Sequence, residues 1–139
     1  MTATRQITLG RWGEQIAVDY LIHHGYTLLG RNLRTAYGEI DILARQADSL
    51  VFVEVKTRSS GSLGLPEISI TKKKFYHMVS SAQAYLLDHP DLELAWRIDV
   101  ISIRRMPPGQ PPEIAHFENV NAASCRPGFP SRFFPPPPS

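Results

Sequence analysis

The stretch LVFVEVKTR at residues 50–58 limits the fold of this 139-residue chain more than any other. Side chains alternate across a strand, so Val51, Val53 and Val55 share one face and Phe52, Glu54 and Lys56 share the other. β-branched and aromatic residues at this density favour an extended chain. Apolar residues on both faces imply a strand covered on both sides, within a sheet that carries helices. An acid and a lysine inside such a strand look too buried for an ordinary solvated face. The preceding segment GEIDILAR repeats the anomaly. Alternation there groups Glu39, Asp41 and Leu43 on one face and Ile40, Ile42 and Ala44 on the other.

A turn near Ala47–Asp48 makes the two segments a hairpin. Residue 43 then lies opposite 52, 41 opposite 54, and 39 opposite 56. The carboxylates of Asp41 and Glu54 would face each other at roughly 5 Å between Cβ atoms, a destabilising arrangement, and more so where water is scarce. A shared proton would relieve it. So would a divalent cation such as Mg²⁺ or Mn²⁺, which takes carboxylate oxygens and keeps several waters. Lys56 sits beside that position, and a metal-activated water with a lysine nearby suits attack on a phosphodiester. The competing reading is a structural cluster of cross-strand ion pairs, because a bare D…E-x-K string often arises by chance.

The rest of the chain supplies the remaining layers. A first helix over about residues 7–24 carries Leu9, Trp12, Gly13, Ile16, Ala17, Tyr20 and Leu21 on one stripe, and Gly25 closes it. YTLLGRNL reads as a strand, followed by a turn at Thr35–Tyr37. SSGSLGLPE is a loop by composition. Thr71 caps a second helix that runs to about Asp88, with Phe75, Met78, Val79, Ala82, Tyr85 and Leu86 on its buried stripe; His89-Pro90 stops it. WRIDVISI is a fourth strand, and EIAHFENV a short edge strand after PPGQPP. The order α-β-β-β-α-β, with one further β, gives an α/β fold with a mixed sheet flanked by two helices. Ten of the twelve prolines lie at Pro107 or later. The folded domain is therefore expected over residues 1–121. Residues 122–139 are expected as a disordered Pro-rich tail, either a polyproline II ligand for a partner or an end without a role.

Composition excludes several classes. Cys125 is the single cysteine, so no intramolecular disulfide forms. The N-terminal segment has no apolar signal core, and no run approaches ~18 apolar residues, so a cytoplasmic protein without a membrane span is expected. A net charge of +2 is too small by itself to indicate nucleic acid. The placement of the cations says more. Arg31 and Arg34 precede the acidic strand, and Arg58 follows Lys56. Lys72, Lys73 and Lys74 fill the first turn of the second helix, where cations oppose the helix dipole. A phosphate at that N-terminus would account for them, and so would plain solvation of long side chains. Glu14 lies at the flank of the first helix's stripe, as a fourth member of the acidic site or as a boundary glutamate. His23, His24, His77, His89 and His116 lack metal-ligand spacing, and neither a phosphate-binding Gly-rich loop nor a nucleophile elbow is present. Trp12, Phe75, Tyr76 and Tyr85 read as core.

GRWGEQIAVDYLIHHGYTLLGRN, YGEIDILAR, LVFVEVKTRSS, a KKK run before a helix and RIDVISI occur in order over about residues 9–103. Together they resemble the YraN-like family of uncharacterised proteins. That family is similar to archaeal Holliday-junction resolvases and, more broadly, to the restriction-endonuclease-like PD-(D/E)xK superfamily. The resemblance implies that superfamily's core and a site drawn from Glu14, Asp41, Glu54 and Lys56. Asp41, Glu54 and Glu14 would be the metal ligands. It further implies a Mg²⁺- or Mn²⁺-dependent endonuclease acting on branched or structured DNA. The alternative is a non-catalytic nucleic-acid-binding module of the same fold. Arg31, Arg34, Arg58, Lys72, Lys73 and Lys74 would form the nucleic-acid rim. A homodimer is expected, since symmetric cutting of two strands needs two sites.

Overall fold

The computed structural model describes residues 2–59 and 70–125, with side chains from Leu9 onward. Two helices and five strands follow in the order α1 (Thr2–His23), β1 (Thr27–Thr35), β2 (Gly38–Gln46), β3 (Ser49–Arg58), α2 (Lys72–Asp88), β4 (Ala95–Arg104) and β5 (Glu113–Phe117). A 3₁₀ turn at Ala122–Ser124 follows. The strands lie in the sheet in chain order. β3 and β4 run parallel and every other pair is antiparallel. A parallel pair needs a long crossover, and the connection containing α2 provides it.

The hairpin turn falls where expected, with Gln46 opposite Ser49 and Leu43 opposite Phe52. Each face of the sheet has its own core. Val51, Val53, Ile42, Ala44, Ile101 and Ile103 pack with Ala17, Val18 and Leu21 of α1. Leu43, Leu50, Phe52, Ile98 and Val100 pack with Phe75 and Ala82 of α2. Burying β3 on both sides is what its double set of apolar side chains demanded. Thr71 caps α2 as its position in the sequence suggested, its side chain accepting a hydrogen bond from Lys74 N–H at 3.1 Å. Gly25 adopts φ +88 after α1, a conformation that a side chain rarely tolerates.

Three expectations need correction. Ile40 does not share a face with Ile42 and Ala44: it joins the core under α2, and they join the core under α1. Tyr76 is not core but 54% exposed. The boundary expected at 121 falls too early, because Cys125 is buried in the α2-side core and Ala122 packs against it. Val120 N–H donates to Ile98 O at 2.8 Å, which draws this segment back onto the sheet. Most of the SSGSLGLPE loop and the tail beyond Cys125 lie outside the described residues.

One polar network is built into the α1 side. Asp99 of β4 has no solvent exposure. It accepts hydrogen bonds from Arg97 Nε (3.0 Å), from Asn119 N–H (2.9 Å) and from His116 Nε2 (2.7 Å). A carboxylate only accepts, so Nε2 carries the proton and Nδ1 faces the Tyr20 hydroxyl at 3.1 Å. Burial would raise the Asp99 pKa, but the bonds from His116, Arg97 and Asn119 outweigh it and hold it below the usual value. The network ties α1, β4 and β5 together. No helix among the described residues is long and apolar enough to cross a membrane.

Candidate active site

The two acidic strands meet where the sheet opens. The β2–β3 ladder stops at Ile42 opposite Val53. One residue further on, the expected pairing of 41 with 54 is replaced by a side-chain contact: Asp41 Oδ2 accepts the Val55 N–H at 2.9 Å. On the other flank the β1–β2 ladder passes from Arg31 opposite Ile42 to Leu33 opposite Ile40. Between them Asn32 sits at φ +49, a left-handed conformation that asparagine tolerates better than most residues. The change of face between Ile40 and Ile42 therefore falls at Asp41. The end of the β2–β3 ladder leaves room for a carboxylate, while the β1–β2 ladder keeps its register on either side of Asp41.

Asp41 and Glu54 are brought together, as the sequence suggested. Both carboxylates line one pocket, and each acts on the titration of the other. Burial, then the charge of Glu54, push the Asp41 pKa up to about 7, against the opposing hydrogen bond from Val55. Glu14 raises it further and Lys74 lowers it. Burial raises the Glu54 pKa as well, with Lys74 and Lys56 opposing. The pair lines a small pocket open to solvent, walled by Glu39, Ile40, Phe52, Met78 and Ser81.

The cations divide unevenly around this pocket. Lys56 lies close enough to act on Glu54 through its charge. Lys74, expected on a phosphate-binding rim, places its Nζ 3.6 Å from Glu54 Oε2. It is therefore a member of the acidic site, supplied by α2. Lys72 and Lys73 stay exposed in the same turn. Arg31 donates to Gln15 Oε1 at 2.9 Å, and Arg34 lies exposed opposite Glu39. Arg58 is half-buried, and its carbonyl accepts the Arg105 N–H. Arg105 was not singled out from the sequence; its guanidinium lies over the Trp12 ring, 5.5 Å from the centroid.

Glu14 reaches the site because α1 packs closely against β3. A Cβ at Gly13 would stand 2.1 Å from Thr57 Oγ1, so only glycine allows this approach without movement. Glu14 Oε1 then accepts from Asn32 Nδ2 at 3.1 Å, and Asn32 also donates to Glu39 at 3.3 Å. Among the described residues no three His, Cys, Asp or Glu side chains converge as a ready ligand set. The chain thus offers two convergent carboxylates, with Glu14 held back by Asn32. Two carboxylates and several waters are a normal environment for Mg²⁺, so the donor set fits such an ion.

The family model described as "Uncharacterised protein family UPF0102" matches residues 13–103. The chain belongs to the UPF0102 family. That match takes in Glu14, Asp41, Glu54, Lys56 and Lys74 alike. A UPF0102 protein of Geobacter metallireducens is 45% identical over 113 residues, covering 81% of this chain and 91% of its own length. One from Syntrophotalea carbinolica is 43% identical over 113 residues, covering 81% and 90%. A third, from Chlorobium phaeobacteroides, is 47% identical over 95 residues, covering 68% and 75%.

Proposed function

We propose that this UPF0102 chain is a metal-dependent endonuclease that hydrolyses phosphodiester bonds in branched or structured DNA. One observation carries the reading: Asp41 and Glu54 line one pocket, partly buried, just where the β2–β3 ladder ends and Asp41 turns to accept the Val55 N–H. Buried like charges are costly, and a structural role would be served better by apolar residues. Bound there, Mg²⁺ or Mn²⁺ supplies Lewis-acid stabilisation of the phosphate and eases deprotonation of water. Asp41 and Glu54 would hold the ion, and the Val55 N–H fixes the direction of the Asp41 carboxylate. Lys56 orients the attacking water and offsets charge gathering on the phosphate. Lys74 offers a second positive charge from α2. Glu14 stands in reserve beside Asp41. Arg31, Arg34, Arg58, Lys72 and Lys73 steer the DNA backbone, and two copies of the chain would act on paired strands.

The Lys74–Glu54 ion pair favours one other reading, a DNA-binding module whose acidic pair is neutralised by the protein's own lysine. A cleavage screen separates the two. Wild type with Mg²⁺ or Mn²⁺ is incubated with duplex, flap, single-stranded and four-way DNA. The nuclease reading expects cutting of at least one substrate, abolished by chelator and by Asp41→Asn or Lys56→Ala. Binding without cutting in either metal supports the module.

A further inference from the structure

The turn between β1 and β2 holds an aromatic ring away from the protein. Thr35 Oγ1 donates to Gly38 O at 2.8 Å and accepts the Tyr37 N–H at 3.1 Å. Gly38 adopts φ +139, a conformation rare for residues with side chains. These constraints fix the turn, and Tyr37 at its tip is 60% exposed. Among the described residues no ring packs on Tyr37 and its hydroxyl takes no hydrogen bond. The fixed turn thus presents the faces of an aromatic ring to solvent, with nothing of this chain stacked on them.

The turn also borders the candidate active site. A Cβ at Gly38 would lie 3.5 Å from Ser81 Oγ. Ser81 forms the pocket wall with Met78, Glu39, Asp41 and Glu54. Tyr37 is therefore one residue from that wall. Lys74 stands beside Glu54, and Arg34 lies exposed on the same hairpin.

We propose that Tyr37 is a stacking platform for an unpaired base, placed next to the phosphate that the Asp41–Glu54 pocket receives. The inference rests on the nuclease reading and adds a substrate class to it: nucleic acid with unpaired nucleotides at the scissile position. Base pairs in a continuous duplex hide their ring faces in the stack, whereas single strands, flaps and junction centres expose them. Stacking on an aromatic side chain is tolerant of sequence, since every base has a π-face.

The test is equilibrium binding in chelator, which suspends cleavage. Wild type, Tyr37→Ala, Tyr37→Phe and Tyr37→Trp are titrated against a fluorescein-labelled homothymidine strand of about 16 nucleotides and a blunt duplex of equal length. Tyr37→Ala should bind the single strand about five-fold to a hundred-fold more weakly. Its duplex affinity should be unchanged, Tyr37→Phe should match wild type, and Tyr37→Trp should bind at least as tightly. The exposed position should leave all four melting temperatures alike. Single-strand affinity unaffected by Tyr37→Ala overturns the platform, as does equal weakening on both DNAs. A wild type that binds neither DNA overturns the platform together with the DNA reading. Tyr37-dependent single-strand binding, without any metal-dependent cleavage, overturns the nuclease reading and keeps the platform.

Discussion

Replacing Asp41 by Asn should stabilise the metal-free protein. The carboxyl is moved from 3.8 to about 7 by burial and by Glu54. At about 1.4 kcal/mol for each tenfold in proton affinity, that displacement amounts to about 4 kcal/mol at neutral pH. Two effects reduce the gain. Water reaching the open pocket screens the charges. Asn also accepts the Val55 N–H less strongly than a carboxylate does, by about 1 kcal/mol. A net stabilisation of about 1–2 kcal/mol is expected. The sign in pH follows from proton counting. The folded state binds more protons than the unfolded chain between pH 3.8 and about 7. Wild-type stability should therefore fall, relative to Asp41→Asn, as pH rises through that window. The assay is denaturant unfolding of both proteins in chelator across that range, then thermal melts with Mn²⁺. Mn²⁺ should raise the wild-type melting temperature and leave the mutant's alone, and nuclease activity should fall at least about a hundredfold, the loss expected for removal of a key charge-stabilising group. A structural ion-pair cluster requires the opposite sign, because loss of Asp41 would strand a neighbouring cation. A mutant that melts lower in chelator, with neither protein responding to Mn²⁺, would refute the reasoning.

Three other outcomes follow from the geometry. Changing Lys72, Lys73 and Lys74 to Gln should weaken DNA binding for all sequences alike and flatten its log–log salt dependence, by up to ~0.9 per lost phosphate contact; an unchanged slope assigns these lysines to the solvated surface and to Glu54. Gly13→Ala should cost about 1–3 kcal/mol by forcing α1 off Thr57, and adding Thr57→Ala should restore most of it; equal losses in the single and double variants would show that the close approach is not responsible. Asp99 has a folded pKa below its unfolded value, so its stabilisation is present above the unfolded pKa and is lost as pH falls through the folded one. Asp99→Asn should accordingly flatten the acid limb of the stability curve, and an unaltered limb would show that the His116–Arg97 network contributes nothing.

Much of this fold was legible because local rules and tertiary packing agree. The two-sided apolar pattern of Val51–Val55 required a covered strand, the Thr71 cap placed the start of α2, and Ala47–Asp48 fixed the hairpin register. Asp41 and Glu54 stood out as acids inside buried strands. What escaped the sequence depends on non-local geometry. The face change at Asp41 goes with a left-handed Asn32 on the neighbouring strand, and asparagine adopts many other conformations. Lys74 joined the site because the start of α2 lies beside Glu54, which no periodicity reveals; a lysine in the first turn of a helix packed on the sheet was the available hint. The boundary at 121 followed the proline shift and overlooked Cys125, whose side chain returns to the core a few residues later. Asp99 passed as an ordinary strand residue since its partner His116 lies on another strand.

The most direct test of the central claim is a calorimetric titration of the chelator-stripped protein with Mn²⁺ near pH 7, in two buffers of different ionisation enthalpy. Saturable binding is expected, lost in Asp41→Asn and in Glu54→Gln. The apparent enthalpy should differ between buffers, because Asp41, with its pKa pushed up to about 7, is partly protonated there and must release that proton to bind the ion. Absence of saturable binding, or binding that survives both substitutions, would contradict the assignment of this carboxyl pair as a metal site.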